Sequence, residues 1–235
     1  MTVLTKISYL FNDFISLFFP RLCAACETTL MRSEDVLCLN CLHDLPLAVF
    51  NGTDDSPLDK IFWGRADISK TFALFLFSKK GKVQHLIHQL KYKNRPDVGI
   101  YLGKMLAKHL NEFYPGQFDI VVPVPLHKDK EKKRGYNQST MIAQGISEVL
   151  NIPVGNANFI KVTYTETQTR KARFARYENV KETFNVVDPS QFAGKHLLLV
   201  DDVITTGATL ESCAAKLLAV PEAKVSIACL AFASK

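Results

Sequence analysis

The sequence predicts an α/β protein, a mostly parallel sheet flanked by helices, with a small cysteine-bound unit in front of it. Three observations predict it. Two apolar runs, 119–124 and 197–200, each lead into ligand-type residues and a loop and then a helical segment. Strands that alternate with helices imply right-handed crossovers and parallel pairing. Four of the six cysteines fall as Cys23-x2-Cys26 and Cys38-x2-Cys41, ahead of the alternating part. The chain has 235 residues and is 47% hydrophobic, enough for one large or two small cores. No apolar run reaches the roughly 18–20 residues of a spanning helix, so no transmembrane segment is expected. A formal net charge of +6 suits an anionic ligand or nucleic acid without requiring either.

Leu4, Ile7, Leu10, Phe11, Phe14, Leu17 and Phe18 recur at spacings of three and four, so residues 1–19 form one amphipathic helix, stopped by Pro20. Asp13 interrupts the run and no small-residue cleavage site follows, which argues against a signal peptide. Its polar face offers only Lys6 as a cation. Docking on its own protein is the expectation, and peripheral contact with the inner face of a membrane is the alternative.

Residues 21–46 carry the two knuckles, separated by eleven residues (27–37). Cys23, Cys26, Cys38 and Cys41 can give four thiolates to one tetrahedral zinc, whose binding would stabilise a segment too short for its own core. This spacing suits a reducing, cytoplasmic compartment better than a disulfide framework. His43 is left out because four thiolates already fill the coordination sphere. Asn51 to Pro57 reads as a turn-rich linker, giving expected domains of 1–57 and 58–235.

Residues 65–79 favour strand. Val83 to Tyr92 reads as a helix ending in a basic turn with Lys91, Lys93 and Arg95, and Asp97 is a candidate cap for a helix from Val98 to Leu110. That turn is either a phosphate contact or a solvated helix end. After the 119–124 strand, the stretch His127 to Gln138 reads as a loop carrying Lys128, Lys130, Lys132, Lys133 and Arg134. It closes on Gly135, Tyr136, Asn137 and Gln138, and Asn137 or Ser139 caps a helix to Leu150. Placed between strand and helix beside a glycine, these cations suit a phosphate or pyrophosphate. Residues 158–163 and 184–187 read as short strands. The polar stretch 165–183, with Arg170, Lys171 and Arg176, is a mobile cover or a surface helix. A last strand spans 224–233, and Cys213 and Cys229 read as core thiols.

The run Leu197 to Thr209 delivers Asp201 and Asp202 onto a loop of small and hydroxyl residues. Backbone N–H groups from Thr205 to Thr209 can converge on a phosphate at a helix start. Two carboxylates would repel that phosphate but suit sugar hydroxyls or a phosphate-bound cation.

This run resembles the phosphoribosyl-pyrophosphate (PRPP) loop of type I phosphoribosyltransferases. Together with Phe19-Pro20-Arg21, the four-cysteine knuckles, Lys91-Tyr92-Lys93, Arg134-Gly135-Tyr136-Asn137-Gln138 and the segment 168–184, it resembles the ComF family of competence proteins over nearly the whole chain. The resemblance implies a type I phosphoribosyltransferase-like fold behind a zinc-ribbon-like domain. It implies that Asp201 and Asp202, the catalytic candidates, hold the ribose hydroxyls. Val203, Thr205, Thr206, Gly207, Ala208 and Thr209 would surround the 5′-phosphate, and Pro125, Leu126, His127 and Lys128 the pyrophosphate. Magnesium would arrive with PRPP, and 165–183 would be the flexible cover. It also implies a link to DNA uptake, with single-stranded DNA and a helicase-like protein as partners. Lys91, Lys93, Arg95, Lys132, Lys133, Arg134, Tyr136, Asn137, Gln138, Arg170, Lys171 and Arg176 are then candidate DNA or pyrophosphate contacts, with Tyr92, Tyr136 and Tyr177 able to stack on bases. Such enzymes add a hood over the acceptor, and with only two residues after Ala233 no carboxy-terminal hood is expected. Two readings stay open: a phosphoribosyltransferase releasing pyrophosphate, and a non-catalytic DNA- and partner-binding module that uses PRPP as a regulatory ligand.

Overall fold

The computed structural model describes residues 18–48, 56–162 and 183–233. The expectations placed on residues 1–17, on the linker up to Asp55, and on 165–182 with Arg170, Lys171, Arg176 and Tyr177 lie outside the described residues. The strands are β1 (Thr71–Leu76), β2 (Ile120–Pro123), β3 (Phe159–Val162), β4 (Thr183–Val186), β5 (His196–Ile204) and β6 (Lys224–Phe232). The α-helices are α1 (Leu39–Asp44), α2 (Lys82–Tyr92), α3 (Pro96–Phe113), α4 (Lys128–Arg134), α5 (Gln138–Leu150) and α6 (Ala208–Leu218).

A four-stranded sheet runs in the order β1-β6-β5-β2, and every pair in it is parallel. In register, Leu199 of β5 lies between Val122 of β2 and Ile227 of β6. Its strands are almost uniformly apolar because both faces are covered. Phe72, Leu74, Leu198, Val200 and Leu230 pack with Leu86 and Leu90 of α2, Leu102 and Leu106 of α3, and Ile142 and Ile146 of α5. Ala73, Val122, Leu197, Leu199 and Ile227 pack with Leu210, Cys213 and Leu217 of α6 and with Phe159 and Phe184. Cys213 and Cys229 are thus core thiols, as their apolar neighbours in sequence predict.

Helices α3 and α5 approach to backbone contact. A Cβ on Gly103 would lie 2.2 Å from the Ile142 carbonyl oxygen, and one on Gly145 would lie 2.1 Å from that of Ile100. Glycine at both positions is therefore a packing requirement. Both outer strands of the sheet are covered. Leu47 bridges Phe75 of β1 in antiparallel fashion, and Val154 bridges Val121 of β2 in parallel. Cys23, Cys38, Cys41 and Leu45 join the same apolar cluster as α2, α3 and α5, so the cysteine unit rests on the sheet's helical layer.

Two local expectations are corrected, and three further details of the elements follow. The basic stretch after β2 is helical, with the His127 imidazole accepting from the Asp129 N–H at its start and Gly135 at φ +91° closing it. Asp97 does not cap α3; Arg95 is the N-cap residue, Pro96 opens the helix, and the Asp97 carboxylate takes the Arg95 guanidinium at 2.7 and 2.9 Å. Helix α6 starts at Ala208, inside the loop run, with Gly207 in the left-handed region before it. Strands β3 and β4 pair antiparallel with each other and stand apart from the parallel sheet. Asn137 is the cap of α5, its side-chain oxygen accepting from the Ser139 N–H.

Candidate functional site

Strand β5 carries its apolar register through Val200, and the next two residues bring the acid pair to its carboxyl end. Open α/β sheets take their ligands at that end. Asp201 Oδ1 accepts from Ser139 Oγ at 2.9 Å and from the Asp202 N–H at 2.8 Å. Burial, and then the neighbouring Asp202 carboxylate, push the Asp201 pKa up to about 7. Asp202 is 4% exposed, and its Oδ1 accepts from Lys91 Nζ of α2 at 2.8 Å. Its Oδ2 is buried without a hydrogen-bond partner. A buried carboxylate oxygen left unpaired is costly, and a hydroxyl donor reaching it would relieve that cost.

The loop that follows turns tightly into α6. Gly207 sits at φ +76°, where its Cβ would also fall 2.7 Å from Ile61 Cγ2, so no other residue fits without strain. The first N–H groups of α6 have no intrahelical partners and point at the space before the helix. Asp201, Val203 and Ile204 through Leu210 enclose a cavity of about 60 Å3 there. The expected members of this group, Asp201, Val203, Thr205, Thr206, Gly207, Ala208 and Thr209, thus come together. Arg65, absent from the sequence reading, holds the loop from outside. Its guanidinium donates to the Thr206 carbonyl at 3.1 Å and the Ile61 carbonyl at 3.0 Å, and pairs with Glu211 in the first turn of α6.

At the end of β2, Pro125, Leu126 and Lys128 line a separate cavity of about 150 Å3 with Glu131, Thr140 and Lys161. The cations of α4 face a third space. Lys130, Lys132, Lys133, Arg134 and Gly135 form one wall of a cleft of about 660 Å3, and Lys91, Tyr92 and Asn94 form the other. Tyr92 is 67% exposed, with the Arg134 guanidinium 5.8 Å from its ring centroid. Lys93 and Arg95 are not among the residues lining this cleft, and Arg95 is engaged by Asp97. Tyr136, Asn137 and Gln138 are buried. The Tyr136 hydroxyl donates to the Leu90 carbonyl, Asn137 donates to the Val124 carbonyl at 3.0 Å, and Gln138 accepts from Arg134. These three side chains are engaged within the protein and join α2, β2 and α4 to α5.

The Sγ atoms of Cys23, Cys26, Cys38 and Cys41 all lie within 4.8 Å of one another, and those of Cys26 and Cys38 are 3.7 Å apart. Metal–sulfur bonds of about 2.3 Å in a tetrahedron separate sulfurs by about 3.8 Å, so the cluster can hold a metal ion. Glu27 at φ +61° turns the first knuckle. Glu34, also unforeseen, is 7% exposed and accepts from the Met31 and Leu39 N–H groups at 2.7 and 2.8 Å. Those two bonds hold its carboxyl below the usual range and anchor the start of α1. Hydrogen bonds from Thr28 lower the Cys26 thiol to about 6, whereas burial raises Cys41. His43 is exposed and lies outside the cluster.

Residues 88–235 match the phosphoribosyl transferase domain family. The chain is 34% identical over 149 residues to the DNA utilization protein YhgH of Escherichia coli (strain K12), covering 62% of this chain and 65% of that protein. It is 33% identical over 132 residues to competence protein F of Haemophilus influenzae, covering 53% and 57%. It is 25% identical over 145 residues to competence protein ComFC of Bacillus subtilis, covering 61% and 56%. The chain thus spans less than two thirds of the length of these curated relatives. The family match takes in α3, α4 and α5, the acid pair, the loop after it and β6, and the four-cysteine cluster stands ahead of it as in the ComF resemblance. The chain belongs to the phosphoribosyl transferase domain family, and its relatives include the DNA utilization and competence proteins above.

Proposed function

We propose that this chain binds PRPP and transfers its phosphoribosyl group, with release of pyrophosphate, in the service of DNA uptake. The observation that carries this reading is the unpartnered Asp202 Oδ2 beside Asp201, directly ahead of a glycine-turned loop at a helix N-terminus. Ribose hydroxyls donate to the acid pair, and the 5′-phosphate sits among the N–H groups of 205–209. PRPP is taken as its magnesium complex, the cation neutralising the leaving pyrophosphate. Pro125, Leu126, His127 and Lys128 lie toward that pyrophosphate. The anomeric carbon–oxygen bond to pyrophosphate breaks through an oxocarbenium-like state, pyrophosphate leaving with the electron pair as a nucleophilic atom of the acceptor bonds to that carbon, and cations near the leaving group stabilise its charge. The four thiolates hold a structural zinc. Residues 1–57 serve as the metal-binding unit and 58–235 as the transferase unit, in the cytoplasm. Among the described residues no helix is long and apolar enough to cross a membrane.

The cleft between α2 and α4 supports a second function for the same chain. Its five cations and its exposed Tyr92 suit a single-stranded nucleic acid, phosphates on the cations and a base on the ring. If the chain is only such a module, PRPP serves as its regulatory ligand. Calorimetric titration with PRPP and magnesium tests the site: the wild type binds, and Asp201→Asn/Asp202→Asn does not. Equal affinity in both proteins would overturn the assignment. A pyrophosphate-release assay over free bases and oligonucleotides then separates transferase from module.

A further inference from the structure

One side chain belongs to both candidate sites. Lys91 Nζ donates to Asp202 Oδ1 at 2.8 Å, and the same residue lines the cleft with Tyr92, Lys130, Lys132, Lys133 and Arg134. The Lys91 side chain is 23% exposed, whereas that of Asp202 is 6% exposed. The lysine therefore reaches from the solvent-open cleft down to a carboxylate that water scarcely touches. We infer that Lys91 couples the two sites, so that a phosphate chain in the cleft and PRPP at the acid pair weaken each other's binding. This rests on the two readings proposed above and adds the link between them.

The sign follows from charge. With Lys91 in place, Asp202 has a counter-ion on Oδ1 and presents Oδ2 to a donor. A phosphate drawn into the cleft competes for the same ammonium. If Lys91 turns toward it, Asp202 is left beside Asp201 with no cation among its hydrogen-bond partners, and the pair no longer presents a set acceptor. A buried carboxylate stripped of its counter-ion is a poor host for a further polyanion such as PRPP. Conversely, PRPP fixes Asp202 and holds Lys91 on it, which removes one cation from the cleft wall. Linkage requires the two effects to be equal in equilibrium affinity.

Mutual binding measurements on the full chain test this. The probes are PRPP with magnesium and a single-stranded oligodeoxythymidylate, at fixed low salt. In the wild type, saturating oligonucleotide should weaken PRPP by about 5–20-fold, and saturating PRPP should weaken the oligonucleotide by the same factor. In Lys91→Met the factor should fall to about one, with circular dichroism confirming the fold. Lys133→Met lines the cleft without any bond to Asp202; it should weaken the oligonucleotide but keep the coupling factor once the cleft is saturated. Both ligands binding the wild type with no mutual effect would overturn the coupling alone, as would an unchanged factor in Lys91→Met. Failure of either ligand to bind at all would instead overturn the site reading beneath it, and the coupling with it.

Discussion

The Arg65 guanidinium donates to the Thr206 carbonyl at 3.1 Å and so fastens the loop between β5 and α6 to the segment ahead of β1. The same group pairs with Glu211, so two consecutive parts of the loop and helix hang on one side chain. Arg65→Met should leave the fold intact and loosen the loop. The expected result is PRPP affinity lower by about tenfold, in line with the loss of a charged hydrogen bond, and Tm within a few degrees of wild type. Trp63, the sole tryptophan and 61% exposed, lies two residues away and provides a fluorescence readout. Unaltered PRPP affinity would show that Arg65 is only a surface ion pair.

Gly207 carries two penalties for any side chain, its left-handed φ and the approach of Ile61. Gly116 also has positive φ, at +67°, but open space around it. Gly116→Ala should therefore cost only the backbone term of about 1–2 kcal/mol. Gly207→Ala adds the steric term and should cost about 2–4 kcal/mol, or a Tm lower by roughly 5–10 °C. Matched urea denaturation of both variants compares them directly, and equal losses would contradict the close packing on Ile61.

Asp201 gives the protein a pH signature. An unshifted aspartate titrates near 3.8, and this one near 7 when folded. Between those values the unfolded chain has lost a proton that the folded chain still holds, so the group's contribution to stability declines as pH rises through that window. Its full penalty applies above pH 7. Asp201→Asn keeps an oxygen for Ser139 and removes the charge, so it should raise Tm by roughly 3–6 °C at pH 8 and by nearly nothing at pH 4. A gain independent of pH would point to packing instead of charge.

Metal analysis under reducing conditions should find about one zinc per chain, and Cys→Ser at 23, 26, 38 or 41 should abolish it. After chelation, Cys26 should alkylate first, because it is exposed and its thiol is lowered to about 6. Peptide mapping after brief iodoacetamide treatment reads the order. Preferential alkylation of Cys41, which is buried with its thiol raised, would contradict it.

The legible parts of this chain are those where periodicity and chemistry coincide. Leu197 to Val200 is an unbroken apolar run, so the strand and the acids beyond it could be read directly. The cysteine spacing carried its own geometry. Lys128 to Arg134 contains no apolar residue, and a helix with no buried face leaves no hydrophobic period; its signals are only His127 and Gly135 at its ends. Acids favour helix starts, which makes Asp97 a candidate cap, but Pro96 already opens the helix and Arg95 claims the carboxylate. Arg65, Ser139 and Glu34 act across long sequence separations or on local N–H groups, and neither leaves a repeating pattern. Tyr136 follows a run of cations, which suggests a surface ring, while the three-dimensional neighbour that buries it, Leu90, is 46 residues away.

The strip Pro46 to Ala48 lies against β1, with the Leu76 N–H donating to the Pro46 carbonyl at 2.8 Å and the Ala48 N–H to the Leu74 carbonyl at 3.0 Å. It follows directly on the four-cysteine segment, so an ion held by that cluster would also steady the cover on this outer strand. Were that cover lost, a hydrogen-bonding rim on an apolar strand would be bared, a template for another copy of the chain. Depleting the cluster's metal would then show first in the insoluble fraction, before the pocket at the end of β5, two strands away across the sheet, is affected.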